Sequence, residues 1–262
     1  MRRQSQGFSL LEMIGVMAVM AILAGALAPA IFQMIDDGYQ TAEIQSMETL
    51  RTALEDAIRS NKEIPSAKDS DWTTAVADFA GFAPSRVLYN DKNFKRRLYV
   101  DPKFFSKKNK AFKGYVQNQG LASKPHSPRM MLVSNLEGNI KTKLNNNKQF
   151  SAVWEQTKKA KIKESKTLII ERINLAPLFK RVVLSNSFSS QTGFELEGGK
   201  EGAIAAASGG SDGSRTLYVI AATRIDLNAA PYPGGATQRQ LIVQNDTSLR
   251  YQTDGGSWYW DR

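Results

Sequence analysis

Residues 7–35 read GFSLLEMIGVMAVMAILAGALAPAIFQMI, and the rest of the chain is organised by what this stretch must do. From Phe8 to Ile35 only Ser9, Glu12 and Gln33 are strongly polar. As a helix these residues span about 42 Å, more than the roughly 30 Å of a bilayer core. Arg2 and Arg3 precede the run and Asp36 and Asp37 follow it, so the positive-inside rule puts the N-terminus in the cytoplasm and the bulk of the chain outside. A cleaved secretory signal has a shorter apolar core with a small-residue cleavage site behind it. Ala26-Leu27-Ala28 imitates such a site, but Pro29 directly behind it is a poor start for a cleaved chain. Topology alone therefore reads as a single signal anchor.

Glu12 does not suit a plain anchor. A carboxylate near the start of a membrane helix costs about 2.5–3.5 kcal/mol unless it finds a partner, and no basic residue lies within a helical turn of it. A free α-amino group, made by cutting between Gly7 and Phe8, would serve. In a stack of staggered copies a neighbour's amine meets Glu12 more easily than its own.

The run Gly7-Phe8-Ser9-Leu10-Leu11-Glu12-Met13-Ile14 behind a short basic leader closely resembles the start of the type IV pilins and pseudopilins. The resemblance covers about the first 35 residues. It implies cleavage after Gly7 by a prepilin peptidase and N-methylation of Phe8. Glu12 then stands fifth and Pro29 twenty-second in the processed chain, as the family pattern has them. Pro29 removes a backbone donor and kinks or loosens the helix around Gly25–Pro29; in the family this stretch can lose helical structure when subunits pack into a filament. The implied partners are other pilin or pseudopilin subunits, the prepilin peptidase and an inner-membrane assembly platform served by a cytoplasmic ATPase. The implied role is structural: a subunit, by its large head a minor one, of a type IV pilus or a type II secretion pseudopilus. It waits in the inner membrane and then enters the filament.

Beyond the membrane, Ile44, Met47, Leu50, Leu54 and Ile58 recur every three or four residues, one face of an amphipathic helix continuing over 36–61 until Pro65 stops it. Ser70-Asp71 before Trp72, Val76 and Phe79 opens a short capped helix ending near Gly81, and Gln149–Gln156 reads as another. Strands are expected at Arg97–Val100, Arg129–Ser134, Thr167–Ile173, Arg181–Ser187, Leu217–Ala222, Gln240–Gln244, Leu249–Gln252 and Trp258–Trp260. Residues 198–214, GGKEGAIAAASGGSDGS, read as a flexible surface loop. The organisation is thus a leader at 1–7, a membrane helix at 8–35, its amphipathic continuation at 36–61 and a periplasmic or extracellular head at 62–262. The fold class is α+β and pilin-like, a long N-terminal helix packed on an antiparallel β-sheet head.

Charge is placed unevenly. Residues 8–61 carry two basic against seven acidic residues, whereas 86–181 carry 23 basic against 6 acidic. An acidic stem and a basic head can complement each other between stacked subunits. Lys95, Arg96, Arg97, Lys103, Lys107, Lys108, Lys110 and Lys113, interleaved with Phe94, Tyr99, Phe104, Phe105 and Phe112, form a candidate patch for DNA or another polyanion. The competing reading is a solvated basic face whose aromatics belong to the core.

Composition closes off most chemistry. With no cysteine there is no disulfide, thiolate zinc site or cysteine nucleophile, and the single histidine, His126, cannot build a His-rich metal site. A mean hydropathy of -0.37 excludes a polytopic membrane protein. Gly209-Gly210-Ser211-Asp212-Gly213 matches the nucleophile-elbow pattern formally but lacks a histidine downstream. Asp246, Asp254 and Asp261 are too widely spaced for a calcium loop and read as turn residues. The absent cysteines also depart from the many pilins whose C-terminal loop is disulfide-closed, so the last hairpin is expected to be held by packing, for which Trp258, Tyr259 and Trp260 are suited. No catalytic residue, cofactor or metal is expected.

Overall fold

The computed structural model describes residues 10–104, 112–144, 146–199, 201–252 and 256–261. Its longest element is α1, Leu10–Asn61, a single helix of 52 residues that runs through Pro29 without interruption. At 1.5 Å per residue it is about 78 Å long. Its first half projects from the head with its apolar side chains bare: Leu11 is 82% exposed and Ile22 72%. In its second half Met47, Leu50, Ala53, Leu54, Ala57 and Ile58 are buried, as the periodicity predicts. Ile44 departs from the expected stripe at 45% exposure, and Glu43 takes the buried place instead. The helix ends at Asn61, earlier than Pro65 requires. Lys62 takes the left-handed conformation (φ 54°) and its ammonium donates to the carbonyl of Arg59 in the last turn.

The stem is clothed by the next hundred residues. β1 (Glu63–Ile64) is followed by α2 (Asp69–Ala80), which ends at Gly81 in the left-handed region as expected. The capping expected at Ser70 is not made at the helix start. Ser70 is already inside the helix, and Lys68 occupies the cap without a side-chain bond. α3 (Pro84–Leu88), with proline in its first turn, precedes β2 (Arg97–Val100) and β3 (Tyr115–Val116), the partner of β1. β4 (Arg129–Asn135), α4 (Asn147–Trp154) and β5 (Leu168–Asn174) complete this layer.

β2, β4 and β5 form an antiparallel sheet with β4 in the centre. Met130-Met131-Leu132-Val133 in β4 are all buried because both faces of this sheet are covered. Met130 and Leu132 pack on one face with Leu50, Leu54 and Ile58 of the stem and Trp72 and Val76 of α2. Met131 and Val133 pack on the other with Phe150 and Val153 of α4.

The last third of the chain forms a second layer that the sequence reading did not separate. Its strands are β6 (Phe179–Asn186), β7 (Thr192–Leu196), β8 (Glu201–Ile204), β9 (Gly213–Ile220), β10 (Thr223–Asn228), β11 (Thr237–Val243), β12 (Thr247–Gln252) and β13 (Ser257–Trp260). Two four-stranded sheets, ordered β13-β12-β6-β9 and β11-β10-β7-β8, enclose a core of Val182, Leu184, Phe194, Leu196, Leu217, Val219, Ile225, Leu227, Leu249 and Trp258. Among the described residues one pair is not antiparallel. β12 runs parallel to β6, because Asn245-Asp246 carries the chain from one sheet to the other instead of closing a hairpin. Asp246 then accepts the backbone N–H of Arg181 at 2.8 Å.

The glycine-rich segment 198–214 contributes β8 and the start of β9, so it is not simply a surface loop. Its glycines serve close approach. A Cβ on Gly202 would stand 2.4 Å from the Phe194 ring, and one on Gly213 would stand 2.0 Å from the carbonyl oxygen of Ala205.

Gln117 ties the two layers together. Its amide donates to Thr223 Oγ1 at 2.8 Å and accepts from the backbone of Ile220 at 2.6 Å, while Lys62 reaches the carbonyl of Ala221 at 3.4 Å.

Candidate functional site: the bare helix and the stem–head junction

The residues singled out by the sequence fall in two regions. The first is the exposed half of α1. Glu12 lies in its first turn and is exposed, and Pro29 is exposed further along. Gly7 and Phe8 lie outside the described residues. This helix is long and apolar enough to cross a membrane.

The second is the seam between the acidic stem and the basic head. Arg96 is 3% exposed and makes a two-pronged ion pair with Glu43, 2% exposed, through Nε and Nη2 at 2.7 Å each. Its remaining nitrogen donates to the carbonyls of Arg86 and Tyr89 at 2.6 Å and of Val87 at 3.2 Å. Every part of the guanidinium fork is thus occupied, as a buried arginine requires. Lys92 pairs with Asp36 at 2.8 Å and sits 4.9 Å from the centre of the Tyr39 ring. Arg51 reaches across to Glu171 of β5 at 2.9 Å. Burial pushes the Glu171 carboxyl up, and Arg51 draws it partly back. Much of the stem–head charge complementarity is therefore satisfied within one chain.

These pairings redistribute the candidate polyanion patch. Arg96 is turned inward onto Glu43, Lys95 pairs with Asp69, and Arg97 donates through Nε to the carbonyl of Ile140 at 2.8 Å. Lys103 is half-buried and Lys113 exposed; Lys107, Lys108 and Lys110 lie outside the described residues. Phe104 is 4% exposed and stacks on Phe112 with centroids 4.9 Å apart, so it belongs to the core. Phe105 also lies outside the described residues. Asp101, the one acid in the basic stretch, is fully buried. It accepts from Arg129 at 2.6 Å and from Asn147 at 3.0 Å. Neither Glu43 nor Asp101 is singled out by sequence reasoning. The available signal is an acid on the apolar face of the stem four residues before Met47, with one arginine too many in the segment that packs on it.

On the face of the sheet that packs with Met131 and Phe150, the Tyr99 hydroxyl donates to the carbonyl of Thr142 at 2.6 Å. Burial pushes the phenols of Tyr99 and Tyr115 up to about 12. An unfolded tyrosine titrates near 10, so the folded chain keeps protons that the unfolded chain has already lost. This contribution to stability is complete below pH ~10 and lost as pH rises towards 12. The expected result is a stability that falls between those values, with the 295 nm absorbance of these two phenols appearing only as the head unfolds. Ionisation of both near pH 10 in the folded chain would contradict it.

Among the described residues no three His, Asp or Glu side chains cluster as metal ligands would. Asp261 faces Arg250 at 3.5 Å, and Ser211, in the elbow-like sequence, forms a tight backbone bridge with Ser208 that leads into a strand. His126 is exposed, with Nδ1 2.9 Å from the hydroxyl of Ser127.

A bare apolar helix, long enough to cross a membrane, continuing as the spine of a mainly antiparallel β-sheet head gives a pilin-like α+β fold. A family model of the prokaryotic N-terminal methylation motif matches residues 2–28, so the chain carries the prepilin motif of type IV pilins and pseudopilins. That motif implies assembly with other pilin subunits and processing by prepilin peptidase, and points to a structural subunit rather than an enzyme. No curated protein and no solved structure matches the chain.

Proposed function

We propose that this chain is a minor subunit of a type IV pilus or a type II secretion pseudopilus. Prepilin peptidase cuts it between Gly7 and Phe8 and methylates Phe8. The chain rests in the inner membrane with its N-terminus in the cytoplasm and its head outside. It then joins a filament through α1, with Glu12 paired to the terminal amine of a neighbour. The observation that carries this reading is the methylation motif at the head of a helix whose outer half is bare and whose inner half is the spine of the head. A large head, 62–262, favours a minor position over the repeating one.

Intact mass spectrometry of membrane-extracted protein should show a chain beginning at methyl-phenylalanine, without residues 1–7. An uncut leader in cells with active peptidase would end the proposal.

Capture of DNA or another polyanion is the second reading. It now rests on Lys103, Lys113 and the lysines at 107, 108 and 110, since Lys95, Arg96 and Arg97 are engaged elsewhere.

A further inference from the structure

At the neck, where the bare helix enters the head, α1 presents Gln33, Asp36, Asp37 and Gln40 along one face, spaced at i, i+3, i+4 and i+7. Facing them are Lys92, Glu137, Lys166 and Thr167 from three turns of the head, and the two sides enclose an open cleft of about 310 Å³. Its charges are of both signs, two ammonium groups against three carboxylates. Lys92 is already held by Asp36 at 2.8 Å. Lys166 and Asp37 are not closed on each other. Their charged atoms stand 3.9 Å apart, beyond hydrogen-bond reach, and the side chains are 84% and 66% exposed.

The cleft lies at a particular depth. The apolar part of α1 ends at Ile35, and Leu10–Ile35 is about 39 Å long, against a hydrocarbon core of roughly 30 Å and about 40–45 Å with headgroups. Asp36 and Asp37 therefore leave the membrane in the headgroup layer. Tyr39, 37% exposed beside Lys92, is the kind of residue that anchors there.

We propose that this neck cleft binds the headgroup of an aminophospholipid, a phosphate carrying a primary ammonium. Lys166, with Lys92, receives the phosphate. Asp37 and Glu137 accept from the ammonium, whose three N–H donors match carboxylate acceptors. A trimethylammonium headgroup has no N–H to donate. A purely anionic headgroup has no cation to offer Asp37 and Glu137. The inference rests on the membrane-anchored reading of α1.

The full chain is reconstituted into vesicles holding equal amounts of phosphatidylethanolamine, phosphatidylcholine and phosphatidylglycerol, floated, and then extracted for native mass spectrometry of retained lipid. Phosphatidylethanolamine is expected to be enriched about tenfold over the other two, the worth of one charge-assisted hydrogen bond. Lys166→Glu and Asp37→Lys should each abolish the enrichment, and their exposure means that folding is unaffected. Lys158→Glu, which does not line the cleft, should leave it intact. Flotation with equal retention of the three lipids, a preference for phosphatidylglycerol, or enrichment that survives both substitutions overturns the cleft while leaving the anchor standing. Failure to float with any vesicle overturns the anchor, and the cleft with it.

Discussion

Arg96→Ala is expected to destabilise the head by about 3–5 kcal/mol, the usual consequence of leaving one partner of a buried ion pair uncompensated. Glu43 is 2% exposed and would be left buried without its partner, while the carbonyls of Arg86, Val87 and Tyr89 would lose their donor. Glu43→Ala should cost a similar amount by the mirror argument. Arg96→Lys should fall between, since one ammonium cannot span both carboxylate oxygens and three carbonyls. The double change Glu43→Leu with Arg96→Met should recover only the part of the loss due to the unpaired charge, because an apolar pair of similar volume needs no desolvation of charge but leaves the three carbonyls without a donor. Thermal unfolding of the detergent-solubilised full chain, followed by tryptophan fluorescence, is a suitable measurement, since Trp72 lies in the same core. An Arg96→Ala variant as stable as the parent would show that the pair contributes nothing to holding the head on its stem.

Glu12→Ala should remove the subunit from filaments while leaving it in the membrane. A carboxylate in an apolar helix opposes insertion by about 2.5–3.5 kcal/mol, so its loss leaves insertion unchanged or improved. In the proposed stack the same carboxylate meets a neighbour's terminal amine, and without it that amine is buried unpaired. Cell fractionation should find the variant in the membrane at parental level, and immunoblots of sheared filaments should find it at background. Glu12→Gln separates charge from shape, since it keeps the hydrogen-bonding capacity but cannot neutralise an ammonium. Parental levels of the alanine variant in filaments would assign Glu12 to some other task.

Local pattern made one part of this protein legible. The apolar run with Glu12 and Pro29, the stripe Met47–Ile58 and the strands at 97–100, 129–135 and 168–174 each declare themselves within a few residues, because helix and strand periods are written into neighbouring side chains. The matched motif at 2–28 is equally local. What needed the tertiary structure is every pairing of residues far apart in the chain. β7, β8 and β10 are short and carry glycine or charge, and they become strands only because the two sheets of the sandwich bury their alternate residues. The parallel register of β6 with β12 joins residues some 65 apart, which no turn signal encodes. Arg96 looks like its basic neighbours until Glu43, 53 positions earlier, is brought against it. Charge pattern states how many bases a segment has. Only the packing of stem on head decides which of them face water.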